Sequence, residues 1–199
     1  PPRSTLFPYT TLFRSRSKVS FHYTSFGLDK ERHTRADKNG NAKLYVVSPY
    51  QMAAINGRYY LIGCTDPHDN VSHYRLNRIT DIALLDDRAR AAETVQGLEH
   101  GVNLPQHMAE HIYMFPGKSE TVTFRMKTYL INDVIDWFGT DVAFFDETDD
   151  EVTARVRVNL EAMRRWALQY GPHVRVLSPE SLVADIKHDI ALTEEKYRT

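Results

Sequence analysis

Between residues 18 and 87 apolar side chains recur at every second position in short runs, and a turn signal closes nearly every run. KVSFHYTSF sets Val19, Phe21 and Tyr23 on one face of an extended chain. The polar stretch LDKERHTRADKNGNAK contains the hairpin dipeptide Asn39-Gly40. AKLYVVSPYQMAAI follows, interrupted at Pro49, which has no N–H to give to a ladder. Asn56-Gly57 leads into RYYLIG, TDPHDN leads into VSHYRLNRI, and NRITDIALLDD ends the set. No helical period intervenes. Such a segment cannot build a helix bundle; it predicts short strands closing into a small barrel or sandwich.

The remainder has a different grain. Residues 88–117 contain RARAAETVQGLE and LPQHMAEHIYMF, helix-compatible pieces around Gly101 that read as a helical linker. Residues 118–199 alternate. ETVTFRMKT reads as a strand, and LINDVIDWFG as a helix with Ile131, Ile135 and Phe138 at helical spacing. VAFFDE and EVTARVRVN form a hairpin around the acidic TDD, and LEAMRRWALQYG carries Leu160, Met163, Ala167 and Tyr170 on one helical face. VRVLSP is a last strand, and PESLVADIKHDIALTEEKY closes as a helix with Leu182, Ile186 and Ile190 inward. The order βαββαβ predicts a ferredoxin-like layer. The expected fold class is therefore mainly β plus α+β.

Charge separates the same two regions. Residues 16–87 hold 10 Lys/Arg against 8 Asp/Glu, net +2, while residues 88–199 hold 13 against 18, net −5. That split lacks the strong basic excess of a dedicated duplex-DNA binder. Cys64 is the sole cysteine, so no internal disulfide forms, and no apolar run nears the roughly 20 residues of a spanning helix. A cytoplasmic protein is expected. TLFPYTTLFRS, residues 5–15, is the literal translation of a common sequencing adapter. Residues 1–15 are accordingly read as an artefact, with a longer natural N-terminus expected.

Two strands carry more chemistry than a core needs. RYYLIG and SHYRLNRI hold Arg58, Arg75 and Arg78 among Tyr59, Tyr60 and Tyr74. Alternation puts Tyr59 and Leu61 on one face, expected inward, and Arg58 with Tyr60 on the other. A guanidinium beside a phenol suits a phosphate attached to a base.

The run YVVSPYQMAAINGRYYLIG followed by HYRLNRITDIALLDD resembles the WYL-domain family, named for an aromatic-Tyr-Leu triplet that is here Tyr59-Tyr60-Leu61. The resemblance spans residues 16–87 and implies an Sm-like (SH3-type) barrel. The βαββαβ remainder resembles the WCX-type extension that commonly follows it. Such proteins are typically bacterial transcriptional regulators with an N-terminal helix-turn-helix, which this chain lacks before residue 18. The resemblance implies an effector-binding module for a nucleotide or short single-stranded nucleic acid. It also implies operator contact only through the absent domain, and a homodimer. Carried over, it marks Tyr60, Arg75 and Arg78, then Ser48, Tyr50 and Arg58, as ligand-binding residues. No catalytic residue, metal or cofactor is expected. Alternation sets Arg75 and Arg78 on opposite faces unless a bulge or strand end redirects Arg78.

Plainer readings compete. The arginines also suit solvated strands or partners for Asp66, Asp69 and Asp81, and Ser48 suits a turn cap at Pro49. A module that binds RNA or single-stranded DNA without switching is an alternative. His107-Met108-Ala109-Glu110-His111 spells H-x-x-E-H, which suggests a zinc hydrolase only by a five-residue pattern. The acidic run Asp146–Glu151 lacks the spacing of a calcium loop.

Overall fold

A computed structural model describes residue 13 and residues 15–55, 57–117 and 119–198, so the adapter-like residues 1–12 and 14 lie outside the description. Two compact units part between Leu104 and Pro105.

The first unit contains β1 (Ser17–Phe26), β2 (Arg32–Thr34), β3 (Leu44–Ile55), β4 (Arg58–Cys64), β5 (Ser72–Arg75) and β6 (Ile79–Arg88). All pair antiparallel in the order β2-β1-β3-β4-β5, with β6 also on β1. Register shifts along β1 between Ser17 and Val19 and between Ser20 and His22 mark bulges, which bend a strand. One 3-10 turn, Leu76–Arg78, joins β5 to β6. No ladder links those two strands among the described residues, so the hydrogen-bonded circuit stays open and the expected closed barrel is not formed.

Val19, Phe21 and Tyr23 face inward as their alternation predicts, with Val47, Leu61 and Tyr74, and Phe13 packs against this cluster. Tyr74 meets Phe21 edge-on at 5.1 Å and Tyr23 at 5.6 Å between ring centres. Each such pair contributes about 1 kcal/mol beyond its burial. Gly63 lies where β4 passes closest to β3. A Cβ there would stand 2.5 Å from Val47 Cγ1 and 2.8 Å from the Ser48 carbonyl oxygen. Because one of these atoms is backbone, Gly63→Ala is expected to destabilise the unit by about 3 kcal/mol. A urea midpoint equal to that of the parent would refute this.

Residues 88–104 do not form the expected helical linker. RARAAETVQGLE contains a single 3-10 turn, Ala92–Thr94, and buries Val95 and Leu98. Arg90 decides this. Its backbone N–H donates to Ser48 Oγ at 3.0 Å, and its guanidinium donates to the His68 carbonyl at 2.9 Å and to Asp69 Oδ1 at 2.7 Å. These bonds reach back across the chain and override local helix propensity.

The second unit runs α1 (Leu104–Glu110, beginning at the boundary), β7 (Ser119–Lys127), α2 (Ile131–Phe138), β8 (Ala143–Phe145), β9 (Glu151–Asn159), α3 (Leu160–Gln169), β10 (Val174–Ser178) and α4 (Glu180–Tyr197). The antiparallel sheet has the order β10-β7-β9-β8. β7 alternates as predicted, burying Val122, Phe124 and Met126. Asn159 caps α3 by accepting from the Ala162 N–H at 3.0 Å, while its Nδ2 donates to the Pro116 carbonyl. α2 ends at Gly139, whose φ of 80° favours glycine. α2 buries Val134 and Phe138, and α3 buries Met163, Trp166 and Ala167. Leu182 of α4 is buried, but Ile190, expected inward, is 53% exposed.

Candidate functional site

The candidate site grows from the end of β4, the end of β5 and the 3-10 turn after it. Three bonds hold that turn. The Arg75 N–H donates to Tyr23 Oη at 3.0 Å, Thr24 Oγ1 donates to the Arg78 carbonyl at 3.1 Å, and Arg32 Nη1 donates to the Asn77 carbonyl at 2.7 Å. Tyr23 thus has its ring in the inner cluster and its hydroxyl at the site.

Cross-strand register puts Tyr60 opposite Arg75, and alternation along β4 puts Arg58 on the same face. A cleft of about 450 Å³ opens there, lined by Met52, Gly57, Arg58, Tyr59, Arg75, Leu76 and Asn77. Arg75 Nε is buried and has no hydrogen-bond partner among the described residues. A buried donor left without an acceptor costs about 1–3 kcal/mol, more when charged. Arg58, Arg75 and Arg78 form no ion pair among the described residues. Two of the three carboxylates that competed for them are engaged elsewhere, Asp66 with Lys18 Nζ at 2.6 Å and Asp69 with Arg90.

The sequence-derived site residues therefore separate. Arg58 and Arg75 line the cleft. Tyr60 shares their face but is buried, while Tyr59, expected in the core, is 62% exposed and lines the cleft. Alternation predicts which face a side chain takes, not whether that face is covered. Tyr59 stands beside the Gly57 turn, where most of its side chain is open to solvent. Arg78 sits in the 3-10 turn, which ends simple alternation after Arg75, yet it is not among the cleft residues; its Nε too is buried without a partner. Met52 and Asn77 were not legible as site residues, since neither carries a motif.

Ser48 and Tyr50 lie away from the cleft. Ser48 is buried and accepts from Arg90. Tyr50 is the extra residue where β3 shifts register between Pro49 and Gln51. Its hydroxyl is enclosed with no well-formed hydrogen bond among the described residues, and desolvation raises its pKa to about 12, offset only in part by the neighbouring Ser48 hydroxyl. Tyr50→Phe is expected to leave stability unchanged within about 1 kcal/mol or to raise it, because it removes an unpaired buried hydroxyl. A urea midpoint lowered well beyond that would show a bond the geometry lacks. Cys64 is buried, its Sγ donates to the His68 carbonyl at 3.1 Å, and burial raises its pKa, the opposite of an activated thiol.

The H-x-x-E-H side chains make other contacts. The His107 and His111 rings stack at 4.4 Å, His111 Nδ1 lies 3.1 Å from the Phe115 carbonyl, and Glu110 turns to Arg157 and Gln106. No group of three or more metal-ligating side chains gathers among the described residues. The acidic run after Asp146 is likewise engaged, Glu151 with Arg125 and Lys127 and Asp150 with Lys127. No described helix is long and apolar enough to cross a membrane.

Comparison with protein families matches residues 10–84 to the WYL domain and residues 118–192 to the WCX domain. The chain carries a WYL domain and, after it, a WCX domain. Its WYL match contains the whole cleft, and its WCX match contains the sheet of the second unit. No curated protein matches the chain. Fourteen chains of solved structures match, two of them as follows. Proteasome accessory factor B/C (PafBC) of Arthrobacter aurescens is 18% identical, with 96% of this chain covered, 26% of that one, and a TM-score of 0.38. A CRISPR Cas-related protein is 9% identical, with 95% of this chain covered, 49% of that one, and a TM-score of 0.50. The WYL chain thus spans about a quarter and about half of these proteins' lengths.

Proposed function

We propose that this WYL–WCX chain is the effector-sensing part of a bacterial transcriptional regulator, and that it binds rather than catalyses. Its ligand is a nucleotide or a short single-stranded nucleic acid. On this reading the first unit is an open Sm-like arrangement and the second is ferredoxin-like, with operator contact supplied by a further N-terminal domain. The observation that carries the proposal is the cleft in which Arg75 Nε is buried without an acceptor, beside the Arg58 guanidinium and the exposed Tyr59 ring. A phosphate oxygen would satisfy the guanidinium, and a base would stack on the phenol. Asn77 adds an amide within the same cleft. Reach to Arg78 would require a ligand longer than one nucleotide.

Titrating the 199-residue chain with fluorescent single-stranded DNA and RNA at two salt concentrations tests the reading. Affinity that falls with salt supports it, since each phosphate contact on a single strand adds about 0.7 to the log–log slope. Folded protein that binds neither strand nor any mononucleotide at low salt would end it. Binding that no mononucleotide displaces would favour the module without a switching role.

A further inference from the structure

We propose that the groove beside α4 binds a small apolar carboxylic acid, its hydrocarbon body on the aliphatic lining and its carboxylate against Lys187. The site lies wholly in the second unit and stands apart from the cleft of the first.

α4 is pinned along one flank. Leu182 is buried, and Asp189 accepts from Arg164 Nε of α3 at 2.6 Å and from Arg164 Nη2. α3 ends at Gln169, and the chain turns through Gly171 and Pro172 into β10, an edge strand of its sheet. Between α4, β10 and the end of α3 this leaves a largely apolar groove of about 820 Å³. Small-molecule sites occupy about 300–1,000 Å³, so one compact ligand fills it. Leu168, Val176, Val183, Ile186 and Ile190 supply aliphatic lining, and Ile190 stands exposed at its side. An apolar concavity open to water is a surface that burying a hydrocarbon stabilises.

The polar part of the lining decides the sign of what fits. It consists of Arg175, Lys187, Thr193 and Glu194. Glu194 accepts from Arg198 Nη2 at 2.7 Å, and Thr193 Oγ1 donates to the Asp189 carbonyl at 2.8 Å. Arg175 and Lys187 form no ion pair among the described residues. The carboxylate of the lining is therefore already matched, and the charge left over is positive. Lys187 follows Ile186 directly and precedes Ile190 by three residues, one helical turn, so a single ligand can touch the cation and the aliphatic side chains together. A neutral hydrocarbon would leave the cations unanswered, and a polyanion would leave the apolar lining bare. A hydrocarbon with one carboxylate answers both.

Isothermal titration calorimetry of the full chain with hexanoate, octanoate and decanoate tests this, with 1-octanol as the uncharged comparison. Affinity should rise about fourfold per added CH2 until the groove is full. Octanoate should bind roughly tenfold tighter than octanol. In the double variant Lys187→Ala, Arg175→Ala the two should bind alike, while the dependence on chain length persists. Ile190→Glu should weaken every acid at least about tenfold. Circular dichroism checks the folding of each variant, and all three positions are exposed. A folded parent that binds none of the acids overturns the proposal. So does equal binding of octanoate and octanol, the mark of an unselective apolar surface, or affinity that Ile190→Glu leaves unchanged, which would place the acid elsewhere. A parent that binds no acid but self-associates in sedimentation velocity, through a contact that Ile190→Glu dissolves, gives the groove to a second copy instead.

Discussion

Taking the protein from about pH 7 to about pH 5 is expected to weaken its second unit by about 2 kcal/mol. The cause is the buried pair His107 and His111. Burial and the neighbouring ring lower the His107 pKa from 6.5 to about 3, and burial also lowers that of His111. Both are therefore neutral when folded and titrate more readily when unfolded. Below 6.5 the unfolded chain binds more protons, so stability is complete above that pH and drains away as pH falls towards the folded values. Each histidine contributes at most about 1.4 kcal/mol per pH unit. The paired carboxylates act lower in the scale. Glu151 and Asp189 have pKa values depressed by Arg125 and Lys127 and by Arg164, so their contribution is lost only below the ordinary carboxylate range. Both tryptophans, Trp137 and Trp166, lie in the second unit, which makes intrinsic fluorescence its own reporter. Urea midpoints at the two pH values should differ in the parent and draw closer together in His107→Leu, where only His111 is left to titrate. Equal pH dependence in both proteins would show that the pair is not the acid-sensitive element.

Arg75→Ala is expected to weaken binding of a short single strand by about 2 kcal/mol, roughly thirtyfold. The salt slope should fall by about 0.7 if one phosphate contact is lost. Folding should survive, because the bond at this position that holds the turn runs from the Arg75 backbone N–H to Tyr23, not from the side chain. Arg75→Lys should recover only part of the affinity, since an ammonium cannot reproduce the planar fork. Tyr59→Ala should cost about 1–3 kcal/mol through lost stacking, whereas Tyr60→Phe should change binding little. This pair tests the assignment of the exposed ring against the buried one. Unchanged affinity and slope in Arg75→Ala would remove the cleft from the binding surface.

The strand pattern of the first unit was legible because alternation is a local property. Val19, Phe21 and Tyr23 declare their shared face within five residues, and Asn39-Gly40 declares its turn. Residues 88–104 were misread as helical because Arg90 gains more from Ser48, His68 and Asp69 than its own segment gains from a helix. Those partners lie 21 to 42 residues away, beyond any local rule. Leu182, Ile186 and Ile190 of α4 were read together as inward for the converse reason. Helical spacing aligns Leu182, Ile186 and Ile190, but only the fold decides how far along the helix the core extends.

Periodicity, turn dipeptides and the arginine-tyrosine strands determined by themselves that this chain has two strand-rich regions and that arginines and tyrosines share strands in the first. Tertiary structure alone decided which tyrosine is open, which carboxylates are taken, and that Arg75 and Arg78 each keep a buried Nε without an acceptor among the described residues. Those outcomes depend on what other strands and loops bring against each side chain, and burial and pairing are properties of that whole arrangement.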